Sequence, residues 1–179
     1  AGGGDKSDYY TSVGYNDEQG NVKGVGNTRY NITLKTNYQV NKLLKVGASV
    51  YANERKQTTY LTDSNGFTNP VYYSRLANPY FTPYDENGNY NYDTNVQGKE
   101  DSSLNFNIFE ERANSNTKRR DRSMMAILNA ELRLTDYLKI TSQFGLQEDS
   151  YSLSKYANEN TYAMRKEKLF TEYVGADGV

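Results

Sequence analysis

The sequence predicts an all-β fold, an antiparallel meander of about five to six strands. This prediction depends on two hairpins in which apolar and polar residues alternate, because a β-strand turns successive side chains to opposite faces of its sheet. The first hairpin has strands over 29–40 and 44–55, and only Asn41, Lys42 and Leu43 join them. Even-numbered positions of both strands are mostly apolar, and odd-numbered positions are mostly polar. The hairpin therefore has one apolar face and one polar face.

A second hairpin repeats this design further along the chain. Its strands are expected over 124–134 and 138–148, and a turn at 135–137 joins them. Tyrosine, threonine and valine alternating with polar residues predict one more strand over 8–16. The stretch between the hairpins is irregular, so they indicate one large sheet and not a stacked repeat array.

Residues 56–122 show no sustained alternation and predict one long loop. Connections of this length are uncommon and usually functional. Within the loop, 69–77 predicts a short helix with proline in its first turn, and 85–88 predicts a tight turn. Extended pieces are expected near Tyr162 and over 169–173.

Composition argues against a protein that folds around its own core. The hydrophobic share of 36% and the mean hydropathy of −0.91 are both low for a chain of 179 residues. The net charge is −1, so no overall field attracts nucleic acid. We therefore expect burial to be supplied from outside this chain, and we expect no nucleic-acid partner.

The residue types argue against catalysis. The chain has no cysteine and no histidine, which removes thiolate chemistry, the usual general base and the commonest metal ligand. The adjacent carboxylates at 85–86 and 110–111 would point to opposite sides of an extended chain. We expect no enzyme activity, no metal and no cofactor.

Loop lengths favour a membrane barrel over a soluble sandwich, although both contain alternating strands. The hairpin turns are short, whereas the long loop lies at the opposite end of the strands, as in outer-membrane barrels. Strand 29–40, tilted by roughly 40°, spans about 30 Å, which is enough for an apolar band of about 25 Å. The smallest outer-membrane barrels have about eight strands, so five or six strands cannot form a closed barrel. We therefore expect part of a large transmembrane β-barrel with one long extracellular loop.

In this architecture the apolar face contacts outer-membrane lipid. The residues expected to face lipid are Tyr30, Ile32, Leu34, Val46, Val50, Leu128, Leu132, Ile140 and Phe144. No window approaches the ~18 apolar residues of a membrane-spanning helix.

Several segments, in this order, are similar to one known family. They are GGDKSDYYTSVGY at 3–15, QG at 19–20, RYN at 29–31, VNKLLKVG at 40–47, LANPYFTPYDENGNY at 76–90 and LKITSQFG at 138–145. Together they resemble the barrel region of SusC-like (RagA-like) TonB-dependent outer-membrane transporters. The resemblance runs from the start of the chain to about residue 147.

This resemblance implies a large barrel of about 22 strands with an internal plug. It implies import of glycan or peptide across the bacterial cell outer membrane, together with a SusD-like surface lipoprotein and the TonB complex. The rest of the barrel and the plug would be partners of this segment, because the plug and N-terminal regions are expected to be absent from this chain.

The long loop holds the candidate contacts to an oligosaccharide, a peptide or the lipoprotein. These residues are Tyr72, Tyr73, Tyr80, Phe81 and Tyr84, whose rings either stack on a ligand or pack the loop on itself. The basic run at 118–122 either meets lipopolysaccharide phosphates or forms a solvated loop segment.

Two other classes fit the alternation. A soluble or secreted all-β carbohydrate-binding module would line a ligand face with its tyrosines. A structural adhesin would need the sheet to repeat beyond this chain.

Overall fold

The computed structural model describes residues 1–61, 68–93, 95–96, 99–100, 106–162 and 164–165. The chain divides into two compact units. The first, the sheet unit, comprises Ala1–Glu18, Gly26–Gln57 and Arg119–Ser152. The second, the loop unit, comprises Gln19–Val25, Thr58–Lys118 and Leu153–Val179.

Eight strands are found in the described residues. In chain order they are β1 (Gly2–Gly4), β2 (Ser7–Gln19), β3 (Gly26–Gln39), β4 (Leu44–Thr59), β5 (Asn95–Val96), β6 (Lys99–Glu100), β7 (Ser115–Thr135) and β8 (Leu138–Ala157). Six of them form one sheet in the order β1-β2-β3-β4-β7-β8, while β5 and β6 form a separate antiparallel pair. Within the large sheet, neighbouring strands follow one another in chain order, and β7 lies beside β4 because β5 and β6 are outside this sheet. The predicted all-β meander of five to six strands is confirmed.

The turn between β3 and β4 is stabilised by the side chain of Asn41. Its Oδ1 accepts hydrogen bonds from the backbone N–H groups of Leu43 and Leu44, at 2.8 and 2.9 Å. The N–H of Val40 donates to the Leu44 carbonyl at 2.9 Å. Asparagine favours turns because its short amide side chain bonds to nearby backbone groups, and this bonding sets where the hairpin reverses.

The strands are longer than the alternation predicts. β4 continues to Thr59, β7 begins at Ser115 and β8 continues to Ala157. The connection between β4 and β7 therefore covers 60–114, where the sequence predicts a loop over 56–122. The added ends of β4 and β7 are polar on both faces, so they carry no alternation of hydrophobicity. The added end of β8 contains Tyr151 and Leu153 at odd-numbered positions, out of phase with the apolar stripe of that strand. β1 was missed for a similar reason, since three glycines have no side-chain pattern.

Two short helices lie in the loop unit, and asparagine caps each of them. α1 (Pro70–Tyr73) lies within the predicted helical segment, and Asn69 Oδ1 accepts from two of its first N–H groups. α2 (Ile108–Asn114) was not predicted. Asn107 caps α2 in the same way, and its Nδ2 also donates to the carbonyls of Pro83 and Asn91 at 2.7 and 2.6 Å. This buried amide thus connects α2 to the predicted turn region. Among the described residues, no helix is long and apolar enough to span a bilayer.

A small hydrophobic core lies in the loop unit. It consists of Tyr73, Phe106 and Ile108, with Leu76, Ala77 and Tyr162 packed against them. The Phe106 ring lies 5.0 Å from the Tyr73 ring and 5.4 Å from the Tyr162 ring, both edge-on. We call these six residues the loop core. Among the described residues, the buried hydrophobic side chains all belong to it.

The segment near Tyr162 is a helical turn, so the expectation of an extended piece there is wrong. The Arg165 N–H donates to the Thr161 carbonyl at 2.9 Å, and the Met164 N–H donates to the Thr161 hydroxyl at 3.3 Å. The threonine hydroxyl caps the turn, which favours helical over extended backbone. The extended piece expected over 169–173 lies outside the described residues.

Replacing Phe106 with alanine should destabilise the loop core by about 3–5 kcal/mol, because the fully buried ring leaves a cavity between its neighbours. Hydrogen exchange followed by mass spectrometry should show faster exchange over α2, with β3 and β4 unchanged. Tyr80→Ala is the matched control, since that ring is 91% exposed. Equal loss of protection in both variants would contradict a core at Phe106.

Candidate functional site

The apolar face of the sheet is uncovered in the described structure. None of the side chains predicted to face lipid is buried. Exposure is 43% for Ile32, 56% for Leu128 and 64% for Phe144, while Val46, Val50 and Leu132 are half-buried. Soluble proteins rarely expose large contiguous apolar surface, so this face defines a candidate interaction site.

The apolar face is continuous across four strands. An open groove of about 420 Å³ crosses it. Its lining includes Tyr38, Val46, Ala48, Leu128, Ala130 and Phe144, which come from β3, β4, β7 and β8. These residues have even numbers, as the alternation predicts, so the register keeps the apolar side chains of neighbouring strands together.

The opposite face is packed with polar side chains. A Cβ atom at Gly47 would lie 2.5 Å from Nδ2 of Asn129, so the absence of a side chain there makes room for this amide. Lys35 lies over the ring of Tyr51, with Nζ 5.4 Å from its centroid. On β7, Glu131 bonds to Lys139 at 3.0 Å. All of these residues have odd numbers, so the two faces differ in chemistry as the sequence predicts.

The basic run at 118–122 is part of β7, so a solvated loop segment is wrong for these residues. Its charges separate between the two faces because they alternate along a strand. On the polar face, Asp121 bonds to Arg55 and Arg119 at 2.6 and 2.9 Å. On the apolar face, Glu54 accepts from Nε of Arg120 and of Arg122. Pairing with β4 lets a charged segment remain in the sheet.

The aromatic residues predicted to contact a ligand or partner are not gathered into one surface. Tyr73 is 4% exposed, and its hydroxyl donates to Asp93 Oδ2 at 2.6 Å. Burial, together with the Asp93 carboxylate, raises the pKa of the Tyr73 hydroxyl. This ring therefore packs the loop core, as in the self-packing interpretation. Tyr80 is almost fully exposed, and Tyr72 is 43% exposed.

Tyr84 belongs to an aromatic cluster that the sequence reading missed. Its ring lies 5.5 Å from that of Tyr90 and 5.7 Å from that of Phe109. Nearby, Arg165 lies over the ring of Tyr92, with Cζ 5.2 Å from the ring centroid. Two tyrosines flank the predicted turn in the sequence, and this arrangement could have predicted contact between their rings. The half-buried Phe81 is the remaining predicted contact residue.

The turn predicted between these tyrosines is confirmed. Tyr84 and Tyr90 form an isolated bridge, and Gly88 adopts a φ of +84° that side chains disfavour. The Asp85 carboxylate accepts from the N–H groups of Asn87 and Asn89 and from Asn89 Nδ2, at 2.8–2.9 Å. These bonds, led by the one from the Asn89 side chain, hold the pKa of the Asp85 carboxyl below its ordinary value.

Comparison with known proteins relates part of this chain to TonB-dependent receptors. No protein-family model matches the chain. A segment of 47 residues is 45% identical to TonB-dependent receptor P39 of Formosa agariphila. The match covers 26% of this chain and 4% of that receptor, so the chain spans a small part of its relative. This match supports the predicted relationship to TonB-dependent transporters, without assigning a subfamily.

Asp85→Ala should open the turn at 85–89 because it removes three accepted hydrogen bonds. Limited proteolysis at neutral pH should then cleave this segment faster than in the parent protein. Glu86→Ala, an exposed acidic neighbour, is the matched control. Cleavage of both variants at the parent rate would contradict a stabilising role for the Asp85 carboxylate.

Acid should produce the same opening in the parent protein. A carboxyl with a lowered folded-state pKa stabilises the fold above its unfolded pKa, and this contribution is lost as the pH falls through the folded value. Pepsin cleavage at 85–89 should therefore rise only below the ordinary aspartate pKa. Asp85→Ala should not show this rise.

Proposed function

We propose that this chain is a segment of the barrel wall of a SusC-like TonB-dependent transporter that imports glycans or peptides across the bacterial outer membrane. The observation that carries the proposal is the uncovered apolar face on long, paired strands. The short match to a TonB-dependent receptor supports the same class.

Lipid is the contact that best fits this face. A soluble sandwich would pack a second layer against it, and the described residues place no such layer there. The apolar stretch from Tyr30 in β3 to Val40, the residue after that strand, rises roughly 26 Å when tilted by about 40°, close to the ~25 Å apolar band of outer-membrane barrels. In water the same face would be an aggregation hazard.

The polar strand ends fit the same arrangement. In β4 the apolar positions end before Glu54, and in β7 they begin after Arg122, where ion pairs replace them. Strands of outer-membrane barrels connect to long extracellular loops on one side. The loop between β4 and β7 would therefore lie outside the cell.

Closure requires further strands. Backbone groups at an open sheet edge have no water to bind inside hydrocarbon, and each unpaired group costs several kcal/mol. The remaining barrel and the plug would come from the rest of the transporter. The SusC-like assignment is more specific than the match to a TonB-dependent receptor, and it rests on the ordered sequence segments from 3–15 to 138–145.

The loop is the proposed contact with a SusD-like lipoprotein or with the substrate. Tyr72, Tyr80 and Tyr84 keep exposed ring surface, which gives apolar contact and a hydroxyl for polar groups. Tyr72 lies in the capped helix α1, and Tyr84 lies in the aromatic cluster beside the turn. TonB would supply the energy for import, and no nucleotide chemistry is proposed for this chain.

A tryptophan placed on each face tests the membrane assignment, since the chain contains no tryptophan. Leu128→Trp should add fluorescence that brominated phosphatidylcholine quenches, because the indole would contact acyl chains. Asn129→Trp, one residue along β7 and on the polar face, should add unquenched fluorescence. The difference from the parent protein isolates the new indole in each case. Quenching of both variants or of neither would overturn the lipid-facing assignment.

Tyr80→Ala tests the loop contact. It should lower co-purification of a SusD-like lipoprotein, or uptake of labelled oligosaccharide, by roughly tenfold, because an exposed aromatic anchor commonly contributes more than 1 kcal/mol to binding. Tyr137→Ala is the matched control, since that ring is 92% exposed in the turn between β7 and β8. Equal effects of both substitutions would contradict a specific role for the loop.

A further inference from the structure

The charged cluster on the apolar face of the sheet has a composition of its own. It consists of Lys56, Arg120 and Arg122 around the carboxylate of Glu54, and we call it the outer cation cluster. The Lys56 ammonium lies 3.9 Å from Glu54 Oε2, and Arg122 Nε lies 3.1 Å from Oε1. Arg120 Nε donates to the same Oε1. One carboxylate therefore lies among three cations at the end of the apolar stripe.

This cluster is continuous with apolar surface. An open groove of about 420 Å³ begins among Ile32, Ala52 and Met124 and extends to Glu54 and Arg122. Beside it, the Lys56 ammonium lies 5.4 Å from the centroid of the Tyr30 ring. The groove thus has apolar side chains along its floor, and it reaches the outer cation cluster at Glu54 and Arg122.

The two arginines of the outer cation cluster have further N–H groups that could donate hydrogen bonds to another acceptor. Arg120 and Arg122 make their bonds to Glu54 through Nε, so their terminal Nη groups are available for an additional partner. Both side chains remain well exposed, at 44% and 55%. Glu148 also lines the groove. Taken together, the outer cation cluster and Glu148 hold three cations and two carboxylates, which leaves an excess of one positive charge.

We propose that the outer cation cluster binds a phosphate group of an outer-leaflet glycolipid whose acyl chains lie on the apolar groove below it. This inference rests on the proposed function, because that function places the apolar face in the membrane and the loop end outside the cell. A phosphorylated lipid has an anionic group that would bind the cations and acyl chains that would contact the apolar groove. Guanidinium groups bind phosphate oxygens through paired, charge-assisted hydrogen bonds.

The opposite face supplies the comparison for this inference. Arg55 and Arg119 come from the same two strands and also bind one carboxylate, that of Asp121. Their side chains are 37% and 44% exposed, close to the values for the outer pair. Removing either arginine pair removes two positive charges at the same level of the sheet. The two pairs lie on opposite faces, and both outer arginines belong to β7, whereas Arg55 belongs to β4 and Arg119 to β7.

The test measures lipid A bound to the detergent-solubilised protein by native mass spectrometry. The double variant Arg120→Gln with Arg122→Gln should bind diphosphoryl lipid A roughly 5- to 30-fold more weakly than the parent, since basic residues at a membrane surface attract anionic headgroups. The matched double variant Arg55→Gln with Arg119→Gln should bind it like the parent. Phosphatidylcholine should bind all three proteins equally.

Three outcomes would overturn the inference. Equal weakening in both double variants would indicate attraction by overall charge, and competition by inorganic phosphate alone would indicate an anion site without lipid. Unchanged binding in the outer variant would exclude the cluster. Since brominated-lipid quenching of the Leu128→Trp protein measures membrane contact independently, failure here with quenching intact rejects the phosphate site and keeps the proposed function.

Discussion

The two-residue period of β3, β4, β7 and β8 is the constraint on which the rest of the structure depends. It sorts the side chains of a strongly polar chain so that one face of the sheet is apolar while the other holds amides and ion pairs. Hydrophobic burial is the main favourable term in folding, yet in the described residues this apolar face is uncovered. The proposed lipid environment would resolve the conflict, because acyl chains would supply the contacts that a soluble protein obtains from a second layer.

The loop unit is stabilised by a different set of interactions. Its hydrophobic core is small, and hydrogen bonds from side-chain amides stabilise much of its local structure. Asn69 and Asn107 cap the two helices, and Asn158 donates to Asn114 at 3.1 Å. A buried amide or carboxylate is tolerated only when it is hydrogen-bonded. Exposed aromatic rings can therefore be displayed from a segment with little apolar core.

Much of the sheet could be predicted because alternation and turn chemistry agree at the same positions. Asn41 marks the first hairpin by its own hydrogen bonds, and the apolar stripes define both faces. The start of β7 was missed because its charged residues, such as Arg122 paired with Glu54, leave no hydrophobic signal. α2 was missed because its capping signal, Asn107 followed three residues later by Glu110, was not recognised. Which loop aromatics are buried depends on tertiary packing, and Tyr73 has no local mark that separates it from Tyr72.

The unbroken extended run of β7 has a consequence for how such a gene can vary. Deleting one codon between Arg122 and Leu128 would send every later side chain to the wrong face, exchanging leucines with charged residues. Deleting two codons would keep the faces and shorten the strand by roughly 7 Å. Insertions and deletions inside the strands of related genes should therefore change the length by an even number of residues. The segment between β4 and β7 can change by any number, because it has no two-residue period to preserve.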